Sequence, residues 1–262
     1  MKIGYQGTTG SFSQIASSKL FPGEEFQNLL TFNDVVMNVL NGNLDYGVLP
    51  IENSYTGEVA MVLDELYKSN VYVVDVYNLP IVQNLIGLKP AKLEDIKQVY
   101  SHEQALMQCS DFLKELGVEM ISFSNTALAS QYIKETNDLT KAAIASSLTA
   151  ELFGLKILKE NINNNKHNTT RFVTISKEIK DIKEHFSFMF TVKDGSGALA
   201  NVLNEISKLD VNLTAISSHS THEVWKYYFY CEAEGRLDDE NVVKLKEVLN
   251  EKCSTFKIIG SY

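Results

Sequence analysis

The feature that most constrains this chain is a change of rhythm near residue 180. Before it, strand and helix patterns alternate. Residues 2–6 read as a strand and 11–21 as a helix; 31–40 is helical, with Phe32, Val35, Val36, Val39 and Leu40 on one face. An apolar strand at 46–51 leads to a helix over 57–68. Two β-branched runs, 71–79 and 81–88, meet at Pro80. Strands at 97–101, 118–123, 142–145 and 155–159 are separated by helical segments, the first carrying Ala105 to Leu116 and ending at Gly117. Alternating βα units imply mostly parallel sheets covered by helices. After a charged linker at 176–184 the order becomes βαββαβ, a ferredoxin-like module.

About 175 residues is long for one such sheet, and the extended 71–88 stretch reads as a crossover between two α/β lobes. The Asn-rich segment 161–168 then returns the chain to the first lobe.

Composition narrows the function. With 24 basic against 33 acidic residues the net charge is −9, which argues against a nucleic-acid partner. No apolar run reaches the ~20 residues of a membrane span. The first residues run straight into a strand pattern without a signal-peptide core, so the expected location is cytoplasmic. Cys109, Cys231 and Cys253 have no CxxC spacing and read as reduced, buried thiols. His102, His167, His185, His219 and His222 show no metal-ligand spacing, so no metal is expected. Only two basic residues are Arg, at 171 and 236. A residue used so sparingly suggests a need for a planar, bidentate donor at Arg171; Arg236 reads as incidental.

In α/β sheets, ligands collect where strands end and helices begin. Six such places carry hydroxyls and amides: 7–13, 52–57, 101–104, 124–126, 146–147 and 168–172. Each alone reads as an ordinary helix cap or turn. Together, around Arg171, they describe a site for an anion held by helix N-termini. Glu52, His102 and Glu103 are the only charged candidates in these loops apart from that Arg. Such a site suits a reaction driven from within the substrate, needing positioning and hydrogen-bond polarisation.

Five ordered motifs then carry a resemblance: Gly7-x-x-Gly10-Ser11-Phe12-Ser13, Pro50-Ile51-Glu52-Asn53-Ser54-x-x-Gly57, Ser101-His102-x-Gln104-Ala105-x-x-Gln108-Cys109, Asn125-Thr126-Ala127 and Asn168-x-Thr170-Arg171-Phe172. Over essentially its whole length the chain resembles monofunctional prephenate dehydratase, and its tail resembles an ACT regulatory domain. The resemblance implies a catalytic domain at 1–177, similar to periplasmic ligand-binding proteins, and an ACT domain at 185–262. Lobe one would take about 1–75 plus 165–177, and lobe two about 76–164. No helical extension precedes residues 1–3, so a fused chorismate mutase is not expected.

The implied reaction is loss of CO2 and the ring hydroxyl from prephenate, giving phenylpyruvate for L-phenylalanine biosynthesis. Aromatisation drives it, and no cofactor is implied. Thr170 would be the catalytic hydroxyl. Arg171 would hold a carboxylate or enter a structural ion pair. Asn53, Ser54, Thr8, Ser11, Thr126 and Phe172 would line the substrate. Glu52 would order its loop, since an uncompensated carboxylate repels a dianion; His102 and Gln104 would pin loops.

In the ACT module, Gly197, Ala198, Leu199, Asn212, Leu213 and Ser218 would hold the effector L-phenylalanine. The family's Glu-Ser-Arg-Pro segment is missing; the chain reads Ser217-Ser218-His219-Ser220, which puts feedback in question. A homodimer or homotetramer is implied, and the aromatic hairpin around Trp225 to Tyr230 offers one face to its own helices and the other as a candidate interface. The alternatives are arogenate as substrate, or a non-catalytic sensor of small anions.

Overall fold

The computed structural model describes residues 1–221 and 223–262; His222 lies outside the described residues. The first stretch forms β1 (Lys2–Gln6), α1 (Phe12–Leu20), β2 (Glu25–Leu29), α2 (Phe32–Leu40), β3 (Tyr46–Asn53), β4 (Gly57–Glu58), α3 (Ala60–Lys68) and β5 (Tyr72–Pro80). Helix α2 starts at a capping box in which the Thr31 hydroxyl accepts from the Asp34 N–H and the Asp34 carboxylate accepts from the Thr31 N–H. Its Val35, Val36 and Val39 are buried against the sheet, as their spacing requires. Strand β2 is unmarked by alternation, because its sequence EFQNL lies at the sheet edge and only pairs with β1.

The chain then builds a second sheet from β6 (Asn84–Gly87), β7 (Gln98–Ser101), β8 (Glu119–Ser122), β9 (Lys141–Ala145) and β10 (Lys156–Lys159), in the order β10-β6-β9-β7-β8. Its helices are α4 (Glu103–Gln108), α5 (Ser110–Leu116), α6 (Thr126–Thr136) and α7 (Ser147–Phe153). The single helix expected up to Gly117 is broken at Cys109, whose φ −118° and ψ 11° leave the α region. Strand β11 (Thr169–Ser176) returns to the first sheet and lies antiparallel between β3 and β5. The whole of β5 belongs to that first sheet, so the lobes part at residues 81–83 rather than near 76.

Two crossings join the lobes, and side-chain amides zip them together. The Asn163 amide donates to the Ile81 carbonyl at 2.9 Å and its oxygen accepts the Gln83 N–H at 2.8 Å. The Ile81 N–H donates to the Asn168 carbonyl at 2.8 Å. The Asn-rich run thus satisfies the backbone groups of the other crossing at 81–83, so that the two passages between the lobes are bonded side by side.

The last stretch is β12 (His185–Thr191), α8 (Ala198–Lys208), β13 (Leu213–Ser220), β14 (Tyr227–Glu234), α9 (Glu240–Lys252) and β15 (Thr255–Ser261), with sheet order β13-β14-β12-β15. Phe186, Phe188, Phe190, Cys231 and Ala233 pack under α8 and α9. Trp225 is left of the strand start, with φ 59°, and is 85% exposed. The opposite sheet face, expected as a contact between subunits, is spent within the chain. Tyr228 and Tyr230 join the core of Val62, Leu66, Met189 and Ile259. The Tyr228 ring stacks on Tyr67 with centroids 4.3 Å apart, and its hydroxyl donates to Asp64 at 2.8 Å. The Lys257 ammonium caps the C-terminal carbonyls of α3, donating to Leu66 O at 2.7 Å; burial lowers it to about 8.

The C-terminal sheet also joins the first lobe's sheet, through a single parallel bridge between Gly260 of β15 and Val73 of β5. A Cβ at Gly260 would stand 2.2 Å from the Val73 carbonyl oxygen, a backbone atom that cannot yield cheaply. The three cysteines are free and buried, and burial pushes the Cys109 and Cys231 thiols up to about 12. Gly260→Ala is expected to destabilise the protein by about 1–3 kcal/mol through overpacking. Chemical unfolding checks this; an unchanged midpoint would show that the joint is slack.

Candidate active site

The site starts from a strand irregularity. Val48 of β3 packs with Ile3, Ala16 and Phe172, whereas Leu49 and Ile51 pack on the opposite face with Val62 and Val173. Simple alternation would send Asn53 to the side of Leu49 and Ile51. Pairing with β11 slips here: Phe172 faces Pro50, Arg171 faces Glu52, and Ile51 is the extra residue. Pro50 has no N–H for the ladder, which is where a bulge is tolerated. The bulge turns Asn53 to the face of Thr170 and Phe172, and Glu52 to the face of Arg171.

Asn53 is then over-determined. Its Oδ1 accepts the N–H groups of Tyr55 (3.0 Å) and Thr56 (3.2 Å), so the amide orientation follows from backbone donors. Its Nδ2 therefore points to acceptors: Asn168 Oδ1 at 2.8 Å, Thr170 Oγ1 at 2.9 Å and the Thr169 carbonyl at 3.2 Å. Asn53, Asn168 and Thr170 are all buried. With one lone pair engaged by Asn53, the Thr170 hydroxyl keeps its proton for another acceptor.

The surrounding loops bring the lobes into contact. In the loop after β1, the Gly10 carbonyl accepts the hydroxyls of Thr149 (2.8 Å) and Ser146 (3.3 Å), both from the start of α7. Gly10 has φ +91°, and a Cβ there would meet Thr149 Oγ1 at 3.0 Å, so only glycine suits the position. Across the same divide, the Gln104 amide donates to the Thr56 hydroxyl at 3.2 Å. His102 accepts the Gln104 N–H and caps α4.

Among the expected substrate residues, Ser54 stitches its loop to β11, exchanging bonds with Thr169: its Oγ accepts the Thr169 N–H at 3.0 Å. Ser11 caps α1, the Thr8 carbonyl accepts the Ser11 N–H, and Thr126 opens α6 after its cap, Asn125. Two expectations are corrected. Phe172 is 2% exposed and belongs to the core with Ile3, Val48, Leu79 and Ile81, because α1 covers that stretch of β11. Arg171 is not free to fork a substrate carboxylate: Nη2 lies 2.5 Å from Glu232 of β14 and Nη1 lies 3.5 Å from Glu52. It occupies the ion pair that was its other expected role, on the opposite face of β11 from the Thr170 hydroxyl. Burial works against its charge, but the bond and the field of Glu232 raise its pKa further still. Neither the interlobe role of Ser146 and Thr149 nor the bond of Asn168 to Asn53 has a signal in the sequence, because a hydroxyl or amide at a turn looks the same whether it caps locally or reaches across.

In the C-terminal module Gly197, at φ 79°, leads into Ala198 and Leu199 at the start of α8, and Leu199 packs on the helical core. The Asn212 amide donates to Glu234 at 3.0 Å, Leu213 starts β13, and Ser218 is on its exposed side. The residues beside Ser218 turn inward. Ser217 Oγ donates to Glu58 Oε1 at 2.8 Å, and His219 Nε2 lies 3.1 Å from the other oxygen.

Fold and site define a two-lobed α/β domain with an uncharged hydroxyl–amide centre, joined to a ferredoxin-like module. The prephenate dehydratase family model matches residues 3–180 and the ACT domain model residues 186–250. The bifunctional chorismate mutase/prephenate dehydratase of Buchnera aphidicola subsp. Acyrthosiphon pisum is 33% identical, covering 98% of this chain and 70% of that protein. The prephenate dehydratase of Lactococcus lactis subsp. cremoris is 30% identical over 100% of this chain and 97% of its own. The structure of prephenate dehydratase in complex with L-Phe from Arthrobacter aurescens superposes with a TM-score of 0.91, at 26% identity, covering 100% of this chain and 90% of that one. The chain belongs to the prephenate dehydratase family and is an enzyme of the lyase type.

Asn53→Asp would keep the acceptor for Tyr55 and Thr56 but remove the donor to Thr170, drawing the Thr170 proton to the new carboxylate. Turnover is expected to fall, with stability lower by about 1–3 kcal/mol from the mismatched Asn168. Wild-type turnover in this variant would show that the orientation of the hydroxyl is immaterial.

Proposed function

We propose that this chain converts prephenate to phenylpyruvate, with Thr170 as the catalytic residue, and that L-phenylalanine binding at the ACT module inhibits it. The observation that carries the reading is the Asn53–Thr170 bond, which engages the buried hydroxyl as an acceptor and leaves its proton free to donate. In the reaction the bond from the ring to its carboxylate breaks and CO2 leaves. Those electrons enter the ring, the ring carbon–hydroxyl bond breaks under a hydrogen bond from Thr170, and the departing hydroxide leaves as water with one proton taken up from the solvent. Aromatisation supplies the driving force, so the protein has only to orient the two departing groups and polarise the hydroxyl. Threonine is too weak an acid to ionise fully, and donates in the transition state.

The substrate's carboxylates need positive potential in a protein of net charge −9. The N-termini of α1 and α6, beside Thr8, Ser11 and Thr126, supply it as peptide dipoles. The carboxylates of Glu52 and Glu58 are engaged on the far side by Arg171, Ser217 and His219, which keeps them from repelling a dianion. Arogenate, the aminated analogue, has the same ring chemistry; its separate preference is read by comparing kcat/KM for the two substrates.

Phenylalanine regulation draws on the module's Gly197-Ala198-Leu199 turn, on Asn212 and Leu213 at the neighbouring strand, and on Ser218. The departure at 217–220 has a use of its own, since Ser217 and His219 dock the module on Glu58. Strand β13 lies at the sheet edge, which supports self-association into a homodimer or homotetramer.

Thr170→Ala is expected to lower kcat for prephenate by ~10²–10⁴ with KM little changed, and Thr170→Ser to recover much of it. Unchanged turnover would remove the threonine from the mechanism. Titration with L-phenylalanine is expected to give binding heat and reduced turnover; neither at millimolar ligand would leave the module a docking domain only.

A further inference from the structure

We propose that Glu232, supplied by the ACT sheet, is a positioning residue for the dehydration carried out in the catalytic domain. The inference rests on Thr170 as the catalytic hydroxyl. Thr170 and Arg171 are consecutive on β11 and point to opposite faces, so a force on the guanidinium acts on the strand that carries the hydroxyl. Glu232 is 7% exposed and sits in the interior of its own sheet, flanked by Ser187 on β12 and Ala215 on β13.

One Glu232 oxygen is 2.5 Å from Arg171 Nη2, and the other accepts the hydroxyl of buried Tyr230 at 2.7 Å. Tyr230 is held in its protonated form, mainly by burial and with the field of Tyr262 and Glu232 adding to it. The carboxylate is therefore fixed from within the module before it meets the guanidinium. Arg171 also reaches Glu52, the neighbour of Asn53 on the bulged end of β3. The row Tyr230, Glu232, Arg171 and Glu52 thus grips both strands whose next residues, Thr170 and Asn53, form the catalytic pair.

The position of the bulge gives this grip its purpose. The bulge leaves Ile51 unpaired and disrupts the ladder locally, just before the two pairs that carry the site. Arg171 opposite Glu52 is the pair immediately beyond the slip, and Thr170 opposite Asn53 is the next. An ion pair anchored in a rigid sheet restores at the side chains what the ladder lacks at the backbone. A carboxylate on the mobile surface would hold the strand far less firmly.

The test is steady-state kinetics of full-length Glu232→Gln with prephenate, beside Thr170→Ala and Tyr228→Phe. Glu232→Gln keeps the shape and removes the charge. Its kcat is expected to fall by about 10–100-fold, as for sub-ångström misplacement of a reacting group, with KM within about threefold. Glu232→Asp is expected to recover part of kcat. Tyr228→Phe cuts the hydrogen bond to Asp64 at the same domain contact without touching β11, and should keep kcat within about twofold of wild type.

Should Glu232→Gln fail to fold, the paired variant Arg171→Met with Glu232→Leu removes both charges without leaving either buried alone. It is expected to show the same loss of kcat. Wild-type kcat in either form overturns the proposal. So does an effect confined to KM, or an equal loss in Tyr228→Phe, which would mean that docking in general matters rather than this pair. If Thr170→Ala itself turns over normally, the failure lies in the underlying assignment of the hydroxyl.

Discussion

Everything in this molecule depends on the two faces of strand β11. It enters the first sheet between β3 and β5 after the second lobe has been completed, so its pairing closes the catalytic domain. Its odd and even residues serve different masters. Thr170 and Phe172 look toward α1, one into the site and one into the core, while Arg171 and Val173 look toward the ACT module. The Pro50–Ile51 bulge in the partner strand matters for the same reason. It puts an amide opposite the threonine and a carboxylate opposite the arginine, where an unbroken ladder would have set Glu52 opposite the threonine and Ile51 opposite the arginine.

The sheet consequently sorts charge. Glu52, Glu58, Asp64 and Glu232 are engaged on the module side, by Arg171, by Ser217 and His219, by Tyr228, and by Arg171 with Tyr230. Around Thr170 the partners are amides, hydroxyls and backbone groups. An acidic protein can in this way keep one face of a sheet free of its own negative charge. Four of its carboxylates are turned to the other side of a sheet from the hydroxyl–amide centre, where cations, hydroxyls or a histidine hold them.

Much of the fold was legible because burial imposes period. The valines of α2, the strand at 46–51 and the paired helices of the C-terminal module all follow from which positions must leave water. Where burial is weak, the signal faded. Polar β2 was invisible, and the helix break at Cys109 left no mark, since Cys109 is as buried as its apolar neighbours. Phe172 has no distinguishing mark in the sequence, because a motif neighbour of Thr170 stands on the same face of the strand, one repeat further into the core. The aromatic hairpin was read correctly as two-faced, but the occupant of its second face is Tyr67 and α3 of the same chain.

By itself the sequence determined the alternation of elements, the split near residue 180, and the chemical character of the centre, because these reside in local patterns of polarity and residue type. It also held the motifs that mark the family. Only the tertiary structure decided where Arg171 points and which hydroxyls cross between lobes. Those outcomes turn on one inserted residue in a sheet register and on the approach of segments more than a hundred positions apart, such as Gly10 and Thr149. No local pattern encodes such distances; they are set when competing burial demands are resolved together in space.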